Sequence, residues 1–504
     1  MPVSAWRKTV DAAGGRGETE SRARVVLVAL LLATVSYAIP SLLLSWIPKT
    51  LVDVVAVGCV GVFTLVALAK GLRFFLTFWV FLATLQNFFV GFFSFGISSD
   101  IPIVVTEQKT VALVVAFTLA SPLMFRWLKL HRTLALLITG YLVLVLVNLR
   151  SVDSAVAAYG RNFLLPVLAL VFVLSAAEKL SGEQRRNTLM DIFRTLAVAL
   201  TAGVLLELAI GTERWRSLLH AEFNGGLNSL SRGTNVFGIR VPRVGGLIVE
   251  PTNLGYVAAA LLLIFVLVNY GSLRRLSRYD WLCAFLVLSV LALSGAKSGF
   301  LMLAVGIVVA VLAFKYNTPR VALAISWIFS FLLIATYVGK VKGFSELARA
   351  FGDPIPLVGG DSTTFHLVGL IFGIREGFAT PFGHGLGEGG NFNRVASESW
   401  LEWLGTGSES AWGVLAYQMG IVGLVLFLAI SMAIAAIAGG RSAVLLGAWL
   451  SAALFAEAMF GPQVAGILCI AAGLLADSNG QLLGPGSSLN SDGKHATPDG
   501  EAKS

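Results

Sequence analysis

Apolar runs separated by short polar breaks fill most of this chain. Read for length and continuity, they predict spans at 25–46, 51–69, 72–95, 107–125, 133–149, 162–178, 195–211, 247–270, 280–295, 298–315, 319–338, 410–437, 442–460 and 463–476. A hydrocarbon core roughly 30 Å thick is crossed by about 20 apolar residues of helix. No water reaches the backbone there, so helices that bond internally are the default solution. The pattern predicts an all-α polytopic membrane protein with 12–14 transmembrane helices. The last two runs are short and divided by Phe460-Gly461-Pro462, and alternatively form a re-entrant hairpin. The run at 25–46 is too long for a signal-peptide core and lacks a small-x-small cleavage site, so it reads as a retained first span.

Composition agrees: of 504 residues 56% are hydrophobic and only 13% charged, with a mean hydropathy of +0.82. A net charge of +9 would suggest nucleic acid in a soluble domain. Here Lys and Arg in short cytoplasmic loops account for much of it, and no nucleic-acid partner is expected. On this count Lys70, Arg73, Arg126, Lys129, Arg132, Lys179, Arg185, Arg186, Arg194, Arg274, Arg275, Arg278, Lys315, Arg320 and Arg441 all fall inside. Both termini are then cytoplasmic, in the inner membrane. Residues 1–24 form a cytoplasmic segment, 25–211 an N-terminal bundle, 247–338 the middle helices and 410–476 the C-terminal ones. Two large extracytoplasmic loops, 212–246 and 339–409, lie between, the second with interfacial helices, and 477–504 is expected to be a disordered cytoplasmic tail. Cys59, Cys283 and Cys469 sit in apolar runs and the five histidines are scattered, so neither a disulfide framework nor a metal site is expected.

Chemistry concentrates at the outer boundary. In "RVPRVGGLIVEPTNLGY" (240–256), Arg240 and Arg243 stand before a span and Glu250 enters it. A guanidinium pairs with phosphate oxygens in a planar fork; alternatively both arginines snorkel into the headgroups. An acid at the edge of a span calls for a cavity or a partner, a structural ion pair being the plain alternative for Glu250. "YGRNFLLP" (159–166) brings Arg161 into a span from outside, and "SGAKSGF" (294–300) places Lys297 in a tight outer turn, as ligand contact or headgroup anchor. Arg214, Arg216 and Arg232 read as solvated loop surface. In "DSTTFHLVGLIFGIREGFATPFGHGLGEGGN" (361–391), helical spacing groups His366, Gly369 and Gly373 on one face with Arg375 elsewhere. Trp400, Trp403 and Trp412 favour the membrane interface, and Glu409 stands among them as a candidate general base or, more plainly, as an acid favoured by a helix N-terminus.

These stretches resemble the bacterial O-antigen polymerase and ligase superfamily over roughly residues 130–435. "RNFLLP", "RVGGLIVEPTNLGY", "STTFHLVGLIFGIREGFATPFGHGLG" and "ESAWGVLAYQMGIVG" are similar to its motifs in their order and outer location. Ligases of the family carry His-Asn or His-Ser, nine residues, then Gly. Here Glu409-Ser410, Ala411 to Met419 and Gly420 match that spacing with glutamate for histidine, which favours a polymerase. His366 stands where many members have arginine, so Arg375 is an alternative basic contact. The resemblance implies a GT-C-like fold and a metal-independent glycosyltransferase without cofactor. Its implied substrate is a polyprenyl-pyrophosphate-linked oligosaccharide at the outer face of the cytoplasmic membrane. Membrane lipids, and a flippase and chain-length regulator of the same pathway, are the implied partners. Arg161, Arg240, Arg243, Lys297 and Arg375 are the candidate pyrophosphate contacts, Glu409 the candidate base with His366 behind it, and Glu250 a further candidate. The rivals are a ligase that transfers the glycan to a lipid or protein acceptor, and a lipid-linked sugar flippase or other transporter.

Overall fold

A computed structural model of the protein describes residues 22–44, 46–93, 103–150, 154–219, 234–236, 239–241, 243–270, 273, 276–315, 362–390 and 409–476. Its helices begin with α1 (Arg22–Leu43), α2 (Lys49–Ala69), α3 (Leu72–Thr84), α4 (Gln86–Phe93), α5 (Ile103–Thr106) and α6 (Gln108–Leu130). They continue with α7 (Arg132–Val147), α8 (Ser154–Ala177), α9 (Gly182–Ile210), α10 (Thr212–Leu218), α11 (Pro251–Val268) and α12 (Arg278–Ser294). The last are α13 (Lys297–Lys315), α14 (Ser362–Ala379), α15 (Ala411–Ala438), α16 (Gly440–Ala453) and α17 (Pro462–Leu474). Before α11, the short strands β1 (Thr234–Val236) and β2 (Ile239–Val241) pair antiparallel, with Asn235 opposite Arg240.

Among the described residues eight helices, α1, α2, α6, α8, α9, α11, α13 and α15, are long and apolar enough to cross a membrane. The chain is a helical, multi-pass membrane protein. The single span expected at 72–95 is instead α3 and α4, bent by 59° at Leu85; counted as one crossing, the pair makes nine. Further spans are expected where α7, α12, α16 and α17 stand, with 16, 17, 14 and 13 residues. The expected span 442–460 stops early, at Ala453. A short 3-10 turn, Glu457–Phe460, follows, and Pro462 then opens α17. Proline suits that first position because its missing N–H would have had no partner in the first turn. The expected span 319–338, the first 21 residues, Trp400, Trp403 and the tail lie outside the described residues.

Polar side chains gather at two ends, and α9 carries both. Ser181 and Gln184 start it with a reciprocal capping box. Its first half then holds one end. Arg73 pairs with Asp191, Arg194 Nε with Asp280 at 2.7 Å, Arg186 Nη2 with Asn269 at 3.1 Å, and Arg185 Nη1 with the Ala476 carbonyl at 2.6 Å. Glu207, in the last turn of α9, belongs to the other end, about 24 Å from Asp191 at 1.5 Å of rise per residue. All the basic residues of the first end are ones expected in the cytoplasm. Between the ends runs α11, the most enclosed of the eight spans. Being apolar on every face, it sits inside the bundle, and the residues just before it are carried inward too.

Candidate functional site

The approach to α11 is an irregular segment, residues 243–250, that cannot begin a helix until Pro251. A 3-10 turn, Gly246–Ile248, leads to Val249 at φ 71°, a conformation unfavourable for a β-branched residue. Neighbours therefore hold the backbone in place. Val244 N donates to the Leu293 carbonyl at 3.2 Å, Asn87 Nδ2 to the Ile248 carbonyl at 3.2 Å, and Trp215 Nε1 to the Gly246 carbonyl at 3.0 Å. Arg243 Nε donates to the Ser294 carbonyl at 3.1 Å and Nη2 to Thr252 Oγ1 at 3.0 Å. Two of the three guanidinium nitrogens are thus used for aim. Glu250 stands immediately before the span and accepts from Asn253 Nδ2 at 2.5 Å. Burial pushes its carboxyl up to about 6; Arg243 pulls it down and the neighbouring Glu409 carboxylate pushes it up.

Glu409 and His366 arrive together because α14 and α15 pack closely. A side chain at Gly373 would lie 2.2 Å from the Gly413 carbonyl, so the small-residue face read in the sequence does face α15. His366 Nδ1 donates to the Glu409 carbonyl at 2.8 Å and lies 3.5 Å from Glu409 Oε2. A ring nitrogen reaches a carbonyl only as a donor, so Nδ1 carries a proton, and in the neutral ring Nε2 is the nitrogen that accepts. The side chains of His366 and Glu409 keep 20% and 29% of their surface exposed. Capping is not the role of Glu409. Ser410 Oγ does that work, accepting from Gly413 N at 3.1 Å, while Glu409 sits outside the helix at φ 69°. A non-glycine residue in that region is strained, and such strain persists where surrounding structure imposes it.

The same helix is broken at Gly420, whose φ of 69° and ψ of 177° leave the helical region. Freed carbonyls at the break are taken by the glycine-rich run after α14: His384 N donates to Tyr417 O at 3.0 Å and Gly385 N to Gln418 O at 3.1 Å. Gly387 N adds a bond to Gln418 Oε1 at 3.3 Å. The spacing from Glu409 to Gly420 thus joins the candidate base to the point where α15 opens to receive this loop.

Arg243 and Glu409 both lie within electrostatic reach of Glu250, and His366 contacts Glu409, so the four gather at one end of the bundle. Tyr256, bonded through its hydroxyl to Ser298, lies within electrostatic reach of Glu250, Glu409 and Arg243. Lys297 is the residue before Ser298 and is exposed. Neither the family models, nor the curated proteins, nor the solved structures hold a match to this chain.

Other predicted residues are placed elsewhere. Arg161 pairs with Glu107, and with Asn162 at 3.1 Å, in a separate cluster. There Lys109 lies 3.7 Å from Glu107, donates to the Thr106 carbonyl at 2.9 Å and bonds Gln86. Arg375 is exposed, on the side of α14 away from the His366 face. Arg240 has its backbone in β2, but its side chain falls outside the described residues. Arg214 is exposed as expected, whereas Arg216 is buried at 7% exposure and donates to the Arg243 carbonyl at 2.9 Å. The short helix α10 folds back on the segment before α11, and that turns Arg216 inward. Glu207 was readable by the rule that picked out Glu250, an acid in an apolar span, and is the missed residue of this site. Among the described residues no group of three or more His, Cys, Asp and Glu could hold a metal ion.

Proposed function

We propose that the protein is a membrane-embedded polysaccharide polymerase that transfers a glycan from polyprenyl pyrophosphate to a lipid-linked repeat unit. On this proposal the reaction takes place at the outer face of the cytoplasmic membrane. The observation that carries this reading is the meeting of Arg243, Glu250, Glu409 and His366, drawn from three stretches distant in sequence, beside the mouth of the most enclosed span. In the reaction, the acceptor hydroxyl oxygen bonds to the anomeric carbon of the donor sugar. The bond from that carbon to the phosphate oxygen breaks, and polyprenyl pyrophosphate leaves with the electron pair. Charge grows on that leaving group, and the Arg243 guanidinium, aimed by Ser294 and Thr252, is a preorganised donor for it. Removal of one such donor typically costs about 2.7–4 kcal/mol in the transition state. The hydroxyl proton passes to Glu409, with His366 Nε2 as the neighbouring acceptor; a positioned base contributes about 10²–10⁴-fold.

Purified protein in lipid bilayers, supplied only with polyprenyl-pyrophosphate-linked repeat units, is expected to build a ladder of longer lipid-linked glycans. Transfer only when a separate lipid-core or protein acceptor is added would replace the polymerase by a ligase. Movement of the lipid-linked units across vesicles without any new glycosidic bond would replace both by a transporter.

A further inference from the structure

We infer that Glu207 is the positioning residue of this site, its carboxylate fixing the Gly245–Gly246 backbone and so aiming Arg243 at an anionic headgroup while holding Glu250 in place at the head of the span. This rests on the polymerase reading above. Glu207 is 1% exposed near the end of an apolar span, a costly place for an acid. One oxygen, Oε2, accepts from both Gly245 N at 2.9 Å and Gly246 N at 2.6 Å. The other, Oε1, has no partner among the described residues. One turn earlier Gly203 lets the turn approach, since a side chain there would lie 2.7 Å from Leu247 N. From the adjoining α10, Trp215 holds the Gly246 carbonyl and the buried Arg216 holds that of Arg243.

These groups grip the backbone on both sides of residues 245–246, while the Arg243 guanidinium and the Glu250 carboxylate bond other partners. A segment with Val249 at φ 71° does not keep its shape unaided. What Glu207 supplies is therefore transmitted: fixed amides, hence a fixed path from Arg243 to Glu250. As a carboxylate it also balances Arg216, a guanidinium buried in the same joint and within electrostatic reach.

The test uses full-length protein in lipid nanodiscs and three variants, Glu207→Ala, Glu207→Gln and the double change Glu207→Gln with Arg216→Gln. Amide exchange of residues 243–250, affinity for polyprenyl pyrophosphate as probe, and kcat and KM for the lipid-linked donor are measured. Glu207→Ala is expected to raise exchange in this segment, and to weaken probe affinity and raise donor KM about tenfold or more, with kcat less changed. Glu207→Gln keeps the acceptor and loses the charge, so a smaller effect is expected, with partial recovery in the double variant. Should Glu207→Ala fail to fold, the other two carry the same readouts. Unchanged exchange, or a loosened segment with probe affinity and KM as in the wild type, overturns the positioning role while leaving the polymerase reading standing. A wild type that makes no polymer, with probe affinity still lost on changing Glu207, overturns the polymerase reading and supports the positioning role. A wild type that binds no polyprenyl pyrophosphate overturns both.

Discussion

Glu107 and Glu250 stand just before helices at the same end of the bundle, and their surroundings treat them in opposite ways. Glu107 is enclosed by Arg161, Lys109 and Thr110. Burial opposes its charge, but the two cations and the hydroxyl outweigh burial and hold its carboxyl below the usual range. Glu250 has only Asn253 as a bonded partner among the described residues; burial and the Glu409 carboxylate push it up to about 6 despite Arg243. The two clusters adjoin, since Gln86 bonds Lys109 and the next residue, Asn87, donates to the Ile248 carbonyl. One cluster is closed, two cations holding a single carboxylate between them. The other keeps two carboxylates near one arginine without neutralising them, an arrangement that costs stability and leaves a carboxylate able to take up a proton. Burial of charge is common to both; spare capacity separates them.

The largest expected effect falls on the open cluster. Glu409→Gln should lower polymer formation on purified lipid-linked repeats by about 10²–10⁴-fold. Glu409→His should keep part of the activity, and Glu409→Ser should leave thermal unfolding unchanged because Ser410 already caps α15. Full activity in Glu409→Gln together with its loss in His366→Gln would move the base to His366 Nε2.

Next, Arg243→Ala should reduce the rate by about 10²–10³-fold with normal protein level, and Arg243→Lys should recover only part, an ammonium lacking the planar fork. In the closed cluster Arg161→Ala should act the other way round. Loss of its bonds to Glu107 and Asn162 should cost about 1.5–3 kcal/mol of stability, seen as a lower midpoint of thermal unfolding, with the rate per folded molecule little changed. If the rate collapses equally in both variants, the distinction between closed and open clusters fails.

A smaller effect should appear with pH. The Glu250 carboxyl, raised to about 6 from an ordinary 4.5, binds its proton more tightly in the folded than in the unfolded state. Its contribution is therefore present at low pH and lost as pH rises from about 4.5 through 6. Glu107, held low, contributes above its unfolded value and loses that contribution in acid. Unfolding midpoints recorded across this range should show Glu250→Gln gaining on the wild type as pH rises. Parallel curves would remove Glu250 from the open cluster. Smallest of all, Arg214→Ala, on the exposed face of α10, should shift neither midpoint nor rate beyond about 0.5 kcal/mol.

The apolar runs alone determined that helices cross a membrane and nearly where. Length and hydropathy are local properties, and a hydrocarbon solvent enforces them span by span. Arg243, Glu250 and Glu409 were legible for a related reason, because a charge at the edge of an apolar run is costly wherever that run goes. The small-residue face of α14 was legible too, from helical spacing. Tertiary structure alone decided the rest. It bent the run at 72–95, turned Arg216 inward, spent Arg161 on Glu107, gave the capping of α15 to Ser410 and left Glu409 strained beside His366. It also set Glu207 under two amides that come much later in the chain. Periodicity says which face of a helix is apolar, but not which helix will lie against it, so no local rule could tell the arginine that is used up from the one that stays available.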